Sequence, residues 1–119
     1  MKKILVVDDD ALFREIMKRH LTRMGFVVLE NDSGRGVVNQ ILNESPEACI
    51  IDIIMDKKEG LETIKEIKLL SNRPKIIAVS SNATYLEWAE ALGADDIICK
   101  PVAPQTLQDT LNQLGVAAN

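Results

Sequence analysis

Short runs of apolar residues alternate along this chain with longer stretches in which apolar residues recur every three or four positions. Runs of about four to eight residues that are rich in Val, Ile and Leu predict strands buried in a sheet. Five such runs occur, at residues 3–7, 26–29, 48–55, 75–80 and 96–99. The third run contains one carboxylate, Asp52, and we expect the strand to end there.

The stretches between these runs predict amphipathic helices. The first begins after Asp10 and ends at Gly25, with an apolar stripe made of Leu12, Phe13, Ile16, Met17, Leu21 and Met24. Ser33 is expected to cap the second helix, Gly60 to open the third and Gly93 to close the fourth. The last helix carries Leu107, Leu111 and Leu114.

Strict alternation of strands and helices predicts a parallel sheet that is covered by helices on both faces and joined by right-handed crossovers. A closed barrel would need eight strand–helix units and roughly twice the length of this chain. We therefore expect an α/β fold with an open, doubly wound sheet of five strands. For the strand order we take 2-1-3-4-5, a common order of such sheets in which the direction of winding reverses between the first and third strands. With 119 residues, 46% of them hydrophobic and 27% charged, the chain suits one globular domain. That domain would span residues 1–115, and residues 116–119 would be a tail or the start of a linker.

Asp52 is the first candidate for chemistry because an ionised carboxylate inside an apolar run must be paired or must lie at the end of the strand. Open α/β sheets bind their ligands in the crevice beyond the carboxyl ends of the strands. A simpler interpretation is that Asp52 only caps the following turn. On its own, this residue does not decide between the two.

Three other predicted strands also end in polar residues: Asp8 and Asp9 follow the first, Ser80 the fourth and Lys100 the fifth. The strand order brings the carboxylates to one crevice, where they repel each other unless a cation joins them. Ligand sets made only of oxygen suit Mg²⁺, which also coordinates phosphate oxygens. The pattern therefore predicts phosphoryl transfer to Asp52, with Mg²⁺, Lys100 and Ser80 stabilising the charge that develops on the phosphoryl oxygens.

Residues 2–114 resemble the receiver domain of bacterial two-component response regulators, of the kind related to chemotaxis regulators. The resemblance rests on four segments: Ile4-Leu5-Val6-Val7-Asp8-Asp9, Cys49-Ile50-Ile51-Asp52, Ala78-Val79-Ser80 and Cys99-Lys100-Pro101. It implies a flavodoxin-like (βα)5 fold in which Asp52 accepts a phosphoryl group. It also implies a signalling module that catalyses only its own phosphorylation and dephosphorylation.

The resemblance assigns the metal ligands as well. It implies that Asp9 binds Mg²⁺ directly, that Asp8 binds largely through water, and that Asp52 and the backbone carbonyl of Ile54 complete the protein ligands. It further implies that the Lys100–Pro101 peptide bond is cis.

Several partners follow from the same resemblance. Phosphate would come from a sensor histidine kinase, a phosphotransfer protein or acetyl phosphate. Phosphorylation would switch a surface on the fourth helix, fifth strand and fifth helix toward a downstream protein or a missing output domain, with homodimerisation as one outcome.

The chain departs from this family at three positions. Asp56 stands where such domains usually carry proline, which predicts a looser and more acidic loop. Ile54 and Asn82 occupy the positions that flank the water attacking the aspartyl phosphate, and Ile54 offers that water no hydrogen bond, so we expect slow self-dephosphorylation. Ile97 replaces the Tyr or Phe that rotates with the switch hydroxyl in many relatives.

Two other functions fit part of the pattern. A haloacid-dehalogenase-like phosphatase would use Asp8 as nucleophile with Asp10, and Asp95 with Asp96 as a second acidic motif. Leu12, the order of the lysine and the second acidic pair, and the short chain oppose it. The third possibility is a receiver-like module that binds a partner without being phosphorylated.

Charge and composition limit what this protein is expected to bind and where it is expected to act. A net charge of -4 and a pI near 5.0 argue against direct nucleic-acid binding. The first apolar run stops at Asp8, which is too short for a signal peptide, and no run could span a membrane, so we expect a cytoplasmic protein. Cys49 and Cys99 are expected to be free and to act as small hydrophobes, and His20 to be structural. Packing and partner binding both remain open for Tyr85 and Trp88.

Overall fold

The computed structural model describes residues 1–55 and 59–118. Five strand–helix pairs follow each other in that part of the chain: β1 (Lys3–Val7), α1 (Ala11–Arg23), β2 (Val27–Asn31), α2 (Val37–Glu44), β3 (Ala48–Asp52), α3 (Gly60–Lys68), β4 (Lys75–Ser80), α4 (Ala83–Ala91), β5 (Asp96–Cys99) and α5 (Pro104–Gln113). The strands form one parallel sheet in the order β2-β1-β3-β4-β5. Both the predicted fold class and the predicted strand order are confirmed.

Alternate residues of each strand enter one of two hydrophobic layers, because successive side chains of a strand point to opposite faces of the sheet. Ile4, Val6 and Ile50 belong to the layer beneath α1 and α5. Leu5 and Ile51 belong to the layer beneath α2, α3 and α4. The two layers explain why the central strands are apolar on both faces.

The register aligns the carboxyl ends of the strands. Val7 pairs with Ile51 across β1 and β3, Asp52 with Val79 across β3 and β4, and Ser80 with Cys99 across β4 and β5. The residues that follow or close these strands therefore meet at one edge of the sheet. Asp8, Asp9, Asp52, Ser80 and Lys100 all lie at this edge.

The predicted apolar stripe of α1 was too wide. Phe13, Met17 and Leu21 are buried, whereas Leu12 is 68% exposed and Ile16 is 38% exposed. These three buried residues recur at a spacing of four, so α1 rests on the sheet along one narrow line. Leu12 and Ile16 lie beside that line and face solvent. Leu42 of α2 also fits the apolar spacing of its helix and is 63% exposed.

Ser33 does not cap α2, contrary to the sequence prediction. Gly36 holds the N-cap position with a φ of 70°, and the hydroxyl of Ser33 accepts a hydrogen bond from the N–H of Arg35. A left-handed conformation suits glycine because it has no Cβ to clash with the backbone. β2 runs on to Asn31, two residues beyond the predicted strand end, so the turn that leads into α2 begins later than expected.

Packing continues beyond residue 115, where the sequence suggested that the domain ends. Val116 is buried in the core layer under α5, and its N–H donates to the carbonyl of Leu111 at 2.8 Å. Ala118 packs against the same layer. A tail or linker, as expected for residues 116–119, would therefore be anchored to the domain at its start.

No helix in the described part of the chain combines the length and the apolar character needed to cross a bilayer.

Candidate functional site

Three carboxylates converge at the carboxyl edge of the sheet. One side-chain oxygen from each of Asp8, Asp9 and Asp52 lies within 4.8 Å of the other two. Asp8 and Asp52 are buried and Asp9 is exposed, so the cluster opens to solvent on one side. A donor set made only of carboxylate oxygens, with room for water, fits Mg²⁺ better than zinc or copper.

Asp8 is held by contacts from three parts of the chain. Its own N–H donates to the carbonyl of Asn31 at the end of β2, and the N–H of Asp10 donates to its Oδ1 at 2.8 Å. Nη1 of Arg14 donates to its backbone carbonyl at 2.7 Å, and Nε of the same side chain donates to Glu30 at 3.1 Å. Arg14 thus connects the loop of residues 8–10 to the edge strand β2, a role that its position in the sequence did not reveal.

Asp52 closes β3 with its carboxylate directed into the cluster. The N–H of Ile54 donates to Oδ1 of Asp52 at 3.2 Å. Burial and the negative charge of Asp8 raise the pKa of Asp52 to about 6, although the Lys100 ammonium and the Ile54 N–H act in the opposite direction. The carboxylate therefore sits in an environment where a nearby cation is strongly favoured.

Lys100 supplies that positive charge. Its Nζ lies 2.9 Å from Oδ2 of Asp8 and 3.6 Å from Oδ2 of Asp52. The Lys100–Pro101 bond is cis, as predicted, and the N–H of Lys100 donates to the carbonyl of Ser80 at 2.9 Å. The same Nζ lies 4.1 Å from the centre of the Phe13 ring. The sequence placed Phe13 in the core and did not connect it with the lysine.

Ser80 ends β4 one residue beyond the register partner of Asp52. It is buried, and its Oγ accepts a hydrogen bond from the N–H of Asn82 at 3.1 Å. The side chain of Asn82 caps α4 by accepting from the N–H groups of Thr84 and Tyr85. The hydroxyl predicted to take part in the chemistry is therefore linked directly to the start of α4.

Gly60, at the start of α3, lies against the backbone of the candidate phosphoacceptor. A Cβ at this position would lie 2.2 Å from the carbonyl oxygen of Asp52 and 2.6 Å from Cα of Ile53. The N–H of Gly60 donates to the carbonyl of Ile53 at 2.9 Å. Only glycine allows the backbones to approach so closely. The apolar spacing of the third helix in the sequence did not predict this contact.

The other predicted residues have different outcomes. Ile54 exposes half of its side chain at the rim of the site, and Asp56 lies outside the described residues. Ile97 is half-buried on β5. Cys99, expected to act as a small hydrophobe, is exposed at the end of the edge strand β5. Trp88 is 48% exposed and makes an edge-to-face contact with Tyr85, so this pair does not simply fill the core.

The second acidic motif of the phosphatase alternative lies elsewhere. Asp95 binds Arg73 through both of its oxygens and accepts from the N–H of Ile76, near the amino end of β4. The cluster that contains Asp8 lies at the opposite edge of the sheet. Asp10, the partner of Asp8 in that alternative, uses its carboxylate to cap α1. Asp8, Asp10 and Asp95 are therefore not arranged as the phosphatase alternative requires.

Residues 4–112 match the family model of the response regulator receiver domain. The chain therefore belongs to this family of signalling modules, and the resemblance noted in the sequence is confirmed.

Individual relatives agree with this assignment. The chemotaxis protein CheY of Thermotoga maritima is 34% identical, over 95% of this chain and 97% of that protein. A probable transcriptional regulator, ycf27 of Guillardia theta, is 35% identical over 90% of this chain, but the match spans only 42% of its length. The solved signal receiver domain from Bermanella marisrubri superposes with a TM-score of 0.88 at 31% identity, covering 95% of this chain and 97% of that one.

Proposed function

We propose that this receiver domain takes a phosphoryl group onto Asp52 from the phosphohistidine of a sensor histidine kinase or phosphotransfer protein, or from acetyl phosphate. The observation that carries the proposal is the position of the Lys100 ammonium, which contacts the carboxylates of both Asp8 and Asp52 in one cluster. A nucleophile, a fixed cation and a set of oxygen ligands are what phosphoryl transfer requires of a protein.

The acidic cluster fits Mg²⁺ by its chemistry. Asp8, Asp9 and Asp52 would hold the ion, with the backbone carbonyl of Ile54 as a further ligand and water in the remaining positions. When bound, the ion neutralises the carboxylates and the negative charge on the phosphoryl oxygens. Burial of Asp8 and Asp52 strengthens the preference for a cation at this place.

The remaining steps belong to the protein's own groups. A carboxylate oxygen of Asp52 forms the new P–O bond while the P–N bond of the donor breaks, and its electron pair stays on the histidine nitrogen. The ammonium of Lys100 moves toward a phosphoryl oxygen and offsets its charge, and the hydroxyl of Ser80 donates to another. Any reorientation of Ser80 alters its hydrogen bond with Asn82 and hence the start of α4.

Two surfaces suit the partners that such a mechanism needs. Exposed Leu12, Ile16 and Ile54 lie within a few residues of the acidic cluster in the chain and offer apolar contacts to a kinase or phosphotransfer protein. Exposed Trp88 on α4 belongs to the surface of α4, β5 and α5 that would meet a downstream target, an output domain or a second copy. The protein would act in the cytoplasm, and its acidic charge gives this domain no direct affinity for nucleic acid.

The test is incubation with acetyl phosphate, with and without Mg²⁺, followed by intact-mass spectrometry. The wild type should gain one Mg²⁺-dependent phosphoryl adduct, Asp52→Asn should gain none, and Asp8→Asn should gain it more slowly. Loss of the adduct only in Asp8→Asn would favour the phosphatase. No adduct in any protein would favour a module that binds a partner without phosphorylation.

A further inference from the structure

We propose that Phe13 is a positioning residue for Lys100, whose ammonium it holds over the site through a cation–π contact. The inference deepens the proposed function and rests on it. In this role Phe13 would not itself bind the phosphoryl group or the metal and would act only through the lysine. The contact joins the first turn of α1 to the loop after β5, and 87 positions separate the two residues in the chain, counted as 100 − 13.

The geometry is favourable for such a contact. Nζ of Lys100 lies 4.1 Å from the ring centre, well inside the distance of about 6 Å at which a cation is attracted to an aromatic face. The side chain of Lys100 is 22% exposed and Phe13 is 8% exposed. Cation–π attraction is stronger when water is excluded, so this partly buried contact is worth more than one on an open surface.

Phe13 is itself fixed in place by the loop of residues 8–10. Its N–H donates to the capping carboxylate of Asp10, and the N–H of Asp10 in turn donates to Oδ1 of Asp8. The ring also belongs to the hydrophobic layer that contains Met17 and Val102. One short segment therefore sets the positions of both the carboxylate and the ring that Lys100 contacts.

The ring differs from the other groups around the ammonium because the reaction does not alter it. The two carboxylates near Nζ belong to Asp8 and Asp52, and phosphorylation would turn that of Asp52 into an acyl phosphate, whose negative charge lies on the phosphoryl oxygens. The Phe13 face presents the same electrostatic surface before, during and after transfer. It therefore keeps Lys100 directed at the site while the ammonium changes partners.

The experiment places fluorinated phenylalanines at position 13 of the full chain by nonsense suppression and follows phosphorylation by acetyl phosphate with Mg²⁺. Fluorine withdraws electron density from the ring face while nearly preserving its shape. From the mono- to the trifluorinated ring, the initial rate should fall stepwise to about one-fifth, which corresponds to about 1 kcal/mol. The same series at Phe26, a buried ring of the same layer that lies outside the Lys100 contact, should leave the rate unchanged.

A second readout does not depend on catalysis. The ring current of Phe13 should move the Hε resonances of Lys100 upfield in the NMR spectrum, and Phe13→Leu should remove this shift whereas Phe26→Leu should keep it. If the wild type is phosphorylated but fluorination at position 13 leaves the initial rate unchanged, the role of Phe13 is overturned and the proposed function is not. Unshifted Lys100 resonances in the wild type would also overturn it. A wild type that takes no phosphoryl group would overturn the proposed function together with it.

Discussion

The ammonium of Lys100 lies 2.9 Å from the carboxylate of Asp8, although 92 residues separate the two in the chain. Asp8 is fully buried, so its charge has little help from water. Oδ2 of Asp52 lies 3.6 Å from the same ammonium. In the absence of a metal, Lys100 is thus the cation that compensates two mutually repelling carboxylates, and this gives it a structural role beside the chemical role that we propose.

Replacing this lysine should therefore destabilise the domain. In buffer without divalent cations, Lys100→Met should lower the free energy of unfolding by about 3 kcal/mol, since it removes the cation that compensates the buried carboxylates of Asp8 and Asp52. Added Mg²⁺ should reduce the difference in the free energy of unfolding between Lys100→Met and wild type, because the ion supplies the missing positive charge. Urea denaturation with and without Mg²⁺ measures both effects.

Lys18→Met is the matched control, because the ion pair of Lys18 with Glu30 is long and exposed. It should change the stability by less than about 0.5 kcal/mol. Equal effects of the two substitutions would contradict the assigned role of Lys100.

The close approach of α3 to Asp52 predicts an unusual response to alanine. Gly→Ala inside a helix ordinarily stabilises a protein by up to about 1 kcal/mol. Gly60→Ala should instead lower the free energy of unfolding by about 2 kcal/mol, because the new Cβ meets backbone atoms of Asp52 and Ile53.

Urea denaturation measures the stability change, and acetyl phosphate labelling reports whether Asp52 has been displaced. Glu62→Ala, at an exposed position two residues further along α3, controls for helix propensity. A stabilised Gly60→Ala protein would show that the contact with Asp52 is not tight.

The ion pair between Arg73 and Asp95 predicts a dependence of stability on pH. Burial raises the pKa of Asp95, but hydrogen bonds from Arg73 and Ile76 and the charges of Arg73 and Lys75 outweigh it, so that its pKa is lowered overall. A carboxyl group with a depressed pKa in the folded state stabilises the fold above its unfolded pKa, and this contribution is lost as the pH falls through the folded value.

Asp95→Asn should therefore be less stable than wild type by about 2 kcal/mol at neutral pH. The difference should stay constant down to about pH 5 and shrink below about pH 4. Asp109→Asn, on the exposed side of α5, should show no such gap. A gap between wild type and Asp95→Asn that does not change with pH would contradict the ion-pair explanation.

The exposed side chain of Ile54 predicts a long-lived phosphorylated state. Its half-exposed apolar surface stands beside Asp52 and offers no hydrogen bond to an attacking water. Ile54→Asn should therefore lose the phosphoryl group several-fold faster, which intact-mass spectrometry can follow after the donor is removed. Leu42→Asn, an exposed leucine on α2, should decay at the wild-type rate. Equal lifetimes of the phosphorylated state in Ile54→Asn and wild type would contradict the hypothesis that Ile54 shields the phosphoryl group on Asp52 from water.

The parallel sheet was predictable from the chain, and so was the convergence of Asp8, Asp9, Asp52 and Lys100 once the common strand order 2-1-3-4-5 was assumed. The reason is periodicity: a short apolar run becomes a buried strand, and the ends of parallel strands meet at one edge. Once four runs end in polar residues, their proximity follows from topology alone. The cis bond before Pro101 was also anticipated, but through the family resemblance and not from the residues themselves.

The contacts made by helices against that edge were decided only by the tertiary structure. The ring of Phe13 under Lys100, the backbone of Gly60 against Asp52 and the bond from Arg14 to Asp8 depend on how α1 and α3 are rotated and tilted over the sheet. Helical spacing defines a face about 100° wide, which is too broad to say which residue of that face touches which strand. Leu12 and Ile16 show the same limit, since both match the apolar spacing and both face solvent. The residues of the candidate site could therefore be identified from the sequence pattern, whereas the residues that contact and support them were decided by side-chain packing between elements distant in the chain.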